Sequence, residues 1–221
     1  MNWAAHIARE ERRYRDGLAR IPEQADARQR QLVRIANAAC GAGLASLMAR
    51  REEGAREWFR CAAERYRESY DNAPPESFGR LIAVVKMAVL ADGPAAAASE
   101  ARWALDQVPG DSESPIGRYA ACLALLVLGR DEDARPLAET LRAGPSHRFP
   151  AGVADALAGL ATRDAALYAG GLADTVRSFE SREEHLENIP VADTVLVLER
   201  LATERGLARR PSSIVLPPWN L

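Results

Sequence analysis

Four times along the chain an apolar helical stretch ends in the same way. Leu47-Met-Ala-Arg-Arg, Val89-Leu-Ala-Asp-Gly, Val127-Leu-Gly-Arg-Asp and Gly159-Leu-Ala-Thr-Arg-Asp each close an apolar run with a small residue and a charged turn. An Ala-rich helical pattern follows each one. Residues 118–143 are the clearest copy and read as a helical hairpin. Ala120 to Leu128 is apolar on every face, as a buried helix is. Gly129 stops that helix, and Asp131 or Asp133 is placed to cap the next one. Leu137, Ala138 and Leu141 share one face of the second helix, which puts Pro136 near its first turn. A single hairpin cannot bury its apolar face, so neighbouring hairpins must stack. The steps from Met48 to Leu90, Leu128 and Leu160 are 42, 38 and 32 residues, looser than the period near 34 residues of tetratricopeptide arrays. The expected fold class is therefore all-α: stacked antiparallel helical hairpins in an irregular, tetratricopeptide-like array of nine to ten helices, with residues 1–221 forming one domain.

The remaining elements follow from apolar spacing and breakers. Helices are expected over residues 3–18, 27–50, 53–70, 78–90 and 95–108, then 153–160, 164–179 and 191–205. Gly41 and Gly43 weaken the second helix by about 1 kcal/mol each relative to Ala, and close packing is the reason expected for them. Gly170-Gly171 predicts a kink or a tight crossing. Gly206 with Leu207 predicts the last helix stop.

Composition narrows the classes of function. The net charge is −2, from 29 basic and 31 acidic residues, which offers no global attraction to nucleic acid or an anionic membrane. No apolar run is long enough to span a bilayer, and the N-terminus MNWAAHIAREERR has no apolar signal region, so a cytoplasmic protein is expected. Cys40, Cys61 and Cys122 are odd in number and lack paired spacing, which predicts free thiols. No nucleophile–base pair or ligand set stands out, so neither enzyme activity nor a cofactor is expected. His147 reads as a solvated loop residue.

Two charged features stand out. Lys86 is the only lysine and lies inside the apolar run LIAVVKMAVL. Its first reading is a side chain at the edge of the buried face with its ammonium in water; a buried lysine of lowered pKa is the alternative. The second feature is acidic. Residues 180–204 hold seven acids and two arginines, whereas residues 9–34 hold eight arginines and five acids. A straight helix through residue 186 would place Glu183 in its apolar stripe, while Ser181-x-x-Glu184 has the pattern of a capping box and predicts a break and restart. Glu180, Glu184 and Glu187, at i, i+4 and i+7, are the candidate partner-binding residues, presented to a basic protein such as a nuclease-type toxin; a merely solvated face is the other reading. The loops at 109–115 and 144–150 are the next candidates. A Glu-x-x-His metal pair is not formed at His185, because Arg182 occupies the glutamate position.

The C-terminal tail, 208–221, is too apolar to be a solvated end: Ile214, Val215, Leu216, Trp219 and Leu221 are expected to dock on the helical body, with insertion into a partner as the alternative. The segment LVLERLATERGLARRPSSIVLPPWNL resembles the end of an all-helical immunity-protein family of bacterial polymorphic toxin systems, immunity protein 49. The resemblance rests on Leu201-Ala-x-x-Arg205-Gly206-Leu207, a short polar link and Leu216-Pro217-x-Trp219, with a similar Leu-rich helix and Leu-Gly turn over Tyr119 to Leu141. It covers roughly residues 78–221 in pattern. It implies a non-catalytic protein that binds and neutralises a cognate toxin effector. A tetratricopeptide-like scaffold that binds a protein or peptide is the alternative.

Overall fold

A computed structural model describes residues 1–145 and 147–218. Among the described residues there are ten α-helices and no strand. They are α1 (Trp3–Leu18), α2 (Ala25–Met48), α3 (Glu52–Tyr70), α4 (Phe78–Asp92), α5 (Ala98–Asp106), α6 (Pro115–Val127), α7 (Asp131–Ala143), α8 (Ala151–Thr162), α9 (Ala165–Glu180) and α10 (Asp193–Glu204). Helices adjacent in sequence pack against each other from α1 to α9, and α4 and α6, the two neighbours of α5, also touch directly. The last helix breaks the series: α10 returns to lie on α4, α8 and α9, and a 3-10 turn at Leu186–Asn188 reaches back to α2. The array of hairpins is thus closed by its own C-terminal helix.

Three of the four repeated helix endings, and the stop after α10, have one backbone cause; the ending of α4 differs, because Gly93 lies at φ 87° and ψ 169° and Pro94 follows it with no N–H to bond back. After α2, α6, α8 and α10 a residue takes a left-handed conformation: Arg50 (φ 59°), Gly129 (φ 69°), Arg163 (φ 56°) and Gly206 (φ 70°). The next N–H then bonds back into the helix, as from Arg51 to Ser46 O (2.9 Å), Arg130 to Leu125 O (2.9 Å), Asp164 to Gly159 O (2.9 Å) and Leu207 to Ala202 O (2.8 Å). This closure satisfies carbonyls that the helix end leaves open and turns the chain sharply enough to start the next antiparallel helix.

In the central hairpin the details differ from expectation. Arg130, not an aspartate, is the N-cap of α7 and makes no side-chain cap bond, while Asp131 is the first helical residue. Its carboxylate is engaged elsewhere, by Arg205. Pro136 lies in the second turn, inside the helix, and so removes one helical N–H bond. The Thr140 hydroxyl donates to Pro136 O at 2.8 Å.

Small residues set the closest approaches. A Cβ on Gly171 would lie 2.4 Å from Ala156 N, so Gly170-Gly171 marks a tight crossing of α9 on α8, without a break in α9. A Cβ on Gly43 would meet the Phe59 ring at 2.5 Å, which accounts for glycine in the middle of α2.

The C-terminal segment is tied to the body at two points. Glu199 accepts hydrogen bonds from the N–H groups of Arg209 (3.1 Å) and Arg210 (2.6 Å) and from the Tyr168 hydroxyl (2.6 Å). Ala192 N donates to Val215 O at 2.8 Å. Val215 and Leu216 are buried, but Ile214 is 84% exposed and does not dock as expected. Trp219 and Leu221 lie outside the described residues.

Candidate functional site

The most irregular part of the described chain lies between α9 and α10. Helix α9 ends at Glu180, with Ser181 as its C-cap, and no helix restarts at Ser181. The serine hydroxyl donates to Ser178 O at 3.1 Å, so the capping-box reading is not realised. Glu183 is exposed rather than buried. Because the helix has ended, Glu180, Glu184 and Glu187 share no helical face, and the expected i, i+4, i+7 row is not formed. Glu180 accepts from the Ser213 hydroxyl at 2.6 Å. Glu184 is exposed beside a cavity. Glu187 turns the opposite way, toward α1.

That turn is held by a charged clamp. Glu187 and Asn188 both have left-handed backbones, at φ 56° and 54°. Arg13 of α1 pairs with the Glu187 carboxylate, and Arg9 donates to the Glu187 carbonyl. Between the two arginines lies Glu10, fully buried, 2.6 Å from Arg9 Nε and 2.8 Å from Arg13 Nη1. Gly41 of α2 makes room for this arrangement: a Cβ there would lie 3.0 Å from Ile189 Cδ1, 3.2 Å from Glu10 Cγ and 3.4 Å from Glu187 Cβ. The positive surplus read from residues 9–34 therefore serves in part to hold the acidic segment.

Beneath the crossover residues 181–192 lies Lys86. Its ammonium does not extend to water. The residue is 9% exposed, and Nζ is 2.5 Å from Asp193 Oδ2 and 3.0 Å from Thr194 Oγ1. Burial draws the lysine's pKa down, but the Asp193 carboxylate outweighs it and holds the pKa above the ordinary value. This overturns the reading of a solvated ammonium, and also the alternative of a lowered pKa. Burial also raises the pKa of the neighbouring Tyr66 and Tyr119 phenols and pushes the Cys40 thiol up to about 12, so all three are neutral at pH 7.

Leu186 stands over this floor, 53% exposed, with an open cavity on either side. The first cavity, of about 420 Å³, runs between α2 and α4 past Asn37, Tyr66 and Arg80. The second, of about 460 Å³, runs toward α6 and α8 past Tyr119, Phe149 and Phe179. Ile116, 39% exposed, is on the border of the second cavity. At that rim the Arg182 guanidinium sits 3.8 Å from the centre of the Phe179 ring, and His185 Nε2 is 3.2 Å from Phe179 O. Glu183 and Glu184 form no ion pair among the described residues. His147 lies far from this arrangement in sequence and is exposed. Among the described residues no group of three or more His, Cys, Asp or Glu is arranged to hold a metal ion, and Cys40, Cys61 and Cys122 are free thiols.

The acidic segment is visible in the sequence, but the ion pair beneath it is not. Asp193 is 107 positions from Lys86. The only signal was that Lys86 is a lone cation in an apolar helix and needs a carboxylate wherever the fold returns one. No family model, curated protein or solved structure matches the chain.

Proposed function

We propose that this chain is a non-catalytic binding protein of the immunity type, which acts in the cytoplasm and blocks a toxin effector by binding it. The observation that carries this reading is the groove under the crossover segment. There, Leu186 and Ile116 are exposed beside a mostly apolar cavity, Glu184 stands at its edge and Glu183 is exposed next to it in sequence, neither in an ion pair among the described residues. Exposed apolar side chains around a concavity with a charged rim mark a surface built to be covered by another protein. The free carboxylates favour a partner with a basic face, by speeding encounter more than by adding affinity. The resemblance of the C-terminal third to an immunity-protein family supports the same class. No helix among the described residues is long and apolar enough to cross a membrane, which agrees with a site that works in water.

The scaffold reading ranks second. A tetratricopeptide-like peptide receptor needs an open inner face, and α10 takes up that space by returning onto α4, α8 and α9.

The test is co-expression with a secreted effector encoded beside this chain. The chain should restore growth and co-purify with the effector, and Leu186→Arg should weaken both. An effector that kills equally well in the presence of the chain would sink the proposal.

A further inference from the structure

The cavity on the α2–α4 side of Leu186 has a chemistry unlike that of the acidic rim. Its polar groups are mostly donors with capacity to spare. The Tyr66 hydroxyl donates to Asn37 Oδ1 at 2.7 Å, which leaves the Asn37 amide NH₂ without a partner among the described residues. Lys86 spends two of its three N–H bonds on Asp193 and Thr194. Arg80 spends its two terminal nitrogens on Ser69 O and Gln29 Oε1, which fixes the guanidinium in place. Both oxygens of the one carboxylate, by contrast, are already engaged. Asp193 Oδ2 is on Lys86, and Oδ1 accepts from Thr194 N at 2.7 Å. Tyr66 and Cys40 are neutral. The charges lining the cavity are therefore Lys86 and Arg80 against Asp193, one positive charge in excess. Ser77 also lines it, with its hydroxyl donating to Pro74 O at 2.7 Å, and the rest of the wall is apolar, with Val33, Ile82 and Met87 around the cavity and Leu186 at its edge. A volume of about 420 Å³ is within the range of small-ligand sites.

We infer that this cavity binds the carboxylate end of a molecule with a short apolar body, the carboxylate meeting Asn37 Nδ2 and Lys86 Nζ while the body lies against Ile82 and Met87 under Leu186. A single negative charge balances the cavity, and an acceptor-only group suits donors that have no other partner. A cation would face Lys86 and Arg80 across a cavity whose one carboxylate is already bonded. Two sources present this chemistry: a free short-chain acid, and the C-terminal carboxylate of a peptide with apolar last residues. This cavity adjoins the proposed effector contact and shares Ile82, Lys86 and Leu186 with it, but the carboxylate is tested without an effector, so failure of this inference and failure of that reading are distinguishable.

Titration calorimetry on the full chain tests it with four probes: hexanoate, hexylamine, acetyl-Leu-Leu with a free carboxylate, and the same dipeptide amidated. At least one free carboxylate should bind, with hexylamine and the amidated dipeptide weaker by about tenfold, the loss expected for a hydrogen bond to a charged group. Tighter hexanoate assigns the cavity to small acids, and tighter free dipeptide to a protein C-terminus; either supports the inference. Asn37→Ala should weaken binding about tenfold, and Leu186→Trp, which narrows the mouth without touching the donors, should slow it. Equal binding of hexylamine and hexanoate, full binding by the Asn37→Ala chain in its folded form, or no binding of either carboxylate at millimolar concentration would each overturn it.

Discussion

Arg205, at the end of α10, closes the turn between α6 and α7 by gripping Asp131. Its Nε is 3.2 Å from Asp131 Oδ2, and Nη2 bonds the other carboxylate oxygen and also donates to Leu126 O at 2.7 Å. Nη1 donates to Leu201 O at 2.9 Å, so one guanidinium joins the carbonyl ends of α6 and α10. Its side chain is 4% exposed. This contact spans 74 residues and locks the returning helix to the middle of the array. Arg205 is also one of the positions that carries the resemblance at the C-terminus, and its role here is structural.

Arg205→Met should therefore cost about 3 kcal/mol, the usual scale for removing one partner of a buried, hydrogen-bonded charge. The exposed pair Arg130–Asp133 on the same turn is a natural control. Arg130→Met should cost less than about 1 kcal/mol. Urea denaturation of the two variants checks the contrast, and equal losses would mean that Arg205 holds nothing that matters.

Arg163 ends α8 in the left-handed region, where a side chain costs about 1–2 kcal/mol and glycine costs none. It is 70% exposed, and its nearest carboxylate contact is long, 3.7 Å to Asp131. Arg163→Gly loses little contact but gains freedom in the unfolded chain, which offsets part of the relief. The expected outcome is a net stabilisation of about 0.5–1 kcal/mol. A variant less stable than the parent would show that the arginine side chain does more than occupy the turn.

Alkaline pH should destabilise the fold in a defined window. Burial pushes the Cys122 thiol from 9.0 up to about 12. A raised folded pKa means that the contribution is fully present below pH 9 and is lost as pH rises toward 12, because only the unfolded chain can release the proton. Above pH 9 this thiol should remove about 1.4 kcal/mol of stability per pH unit. Lys86, also raised, loses its contribution from the ordinary lysine value upward. Cys122→Ala should flatten the fall of stability between pH 9 and 11 while lowering its starting value, since Cys122 fills a fully buried site. An unchanged slope would place the thiol's titration elsewhere.

Helix class and helix endings were legible because both depend on local patterns: apolar spacing, small residues before charged turns, and glycines after helices. The left-handed closures at Gly129 and Gly206 follow from residue type alone, whereas the same closure at Arg50 and Arg163 could be inferred only from the repeated context. The return of α10 was not legible, since nothing local distinguishes a helix that extends the array from one that folds back over it. The candidate site depends on that return. Asp193 meets Lys86, and Glu187 meets Arg13, only because the chain crosses from α9 to α2. The acidic run was visible, but its division into outward and inward carboxylates was set by the backbone turn at Glu187 and Asn188.

The crossover segment and the body should respond to different glycines. At Gly41 an added methyl would press on Ile189 Cδ1 at 3.0 Å and Glu10 Cγ at 3.2 Å, side-chain atoms that can yield, and a larger group would displace the turn at 187–189. At Gly171 the same methyl would meet backbone, Ala156 N at 2.4 Å and Gly152 O at 2.6 Å, and cannot be relieved without separating α8 from α9. Gly171→Ala should thus cost about 2 kcal/mol or more in global unfolding despite alanine's better helix propensity. Gly41→Val should leave α8 and α9 intact and instead raise hydrogen exchange at residues 186–192, with a small change in melting temperature. If Gly41→Val unfolded the whole chain and left exchange in that segment unchanged relative to the rest, the crossover would be part of the core rather than a segment clamped onto it by Arg9 and Arg13.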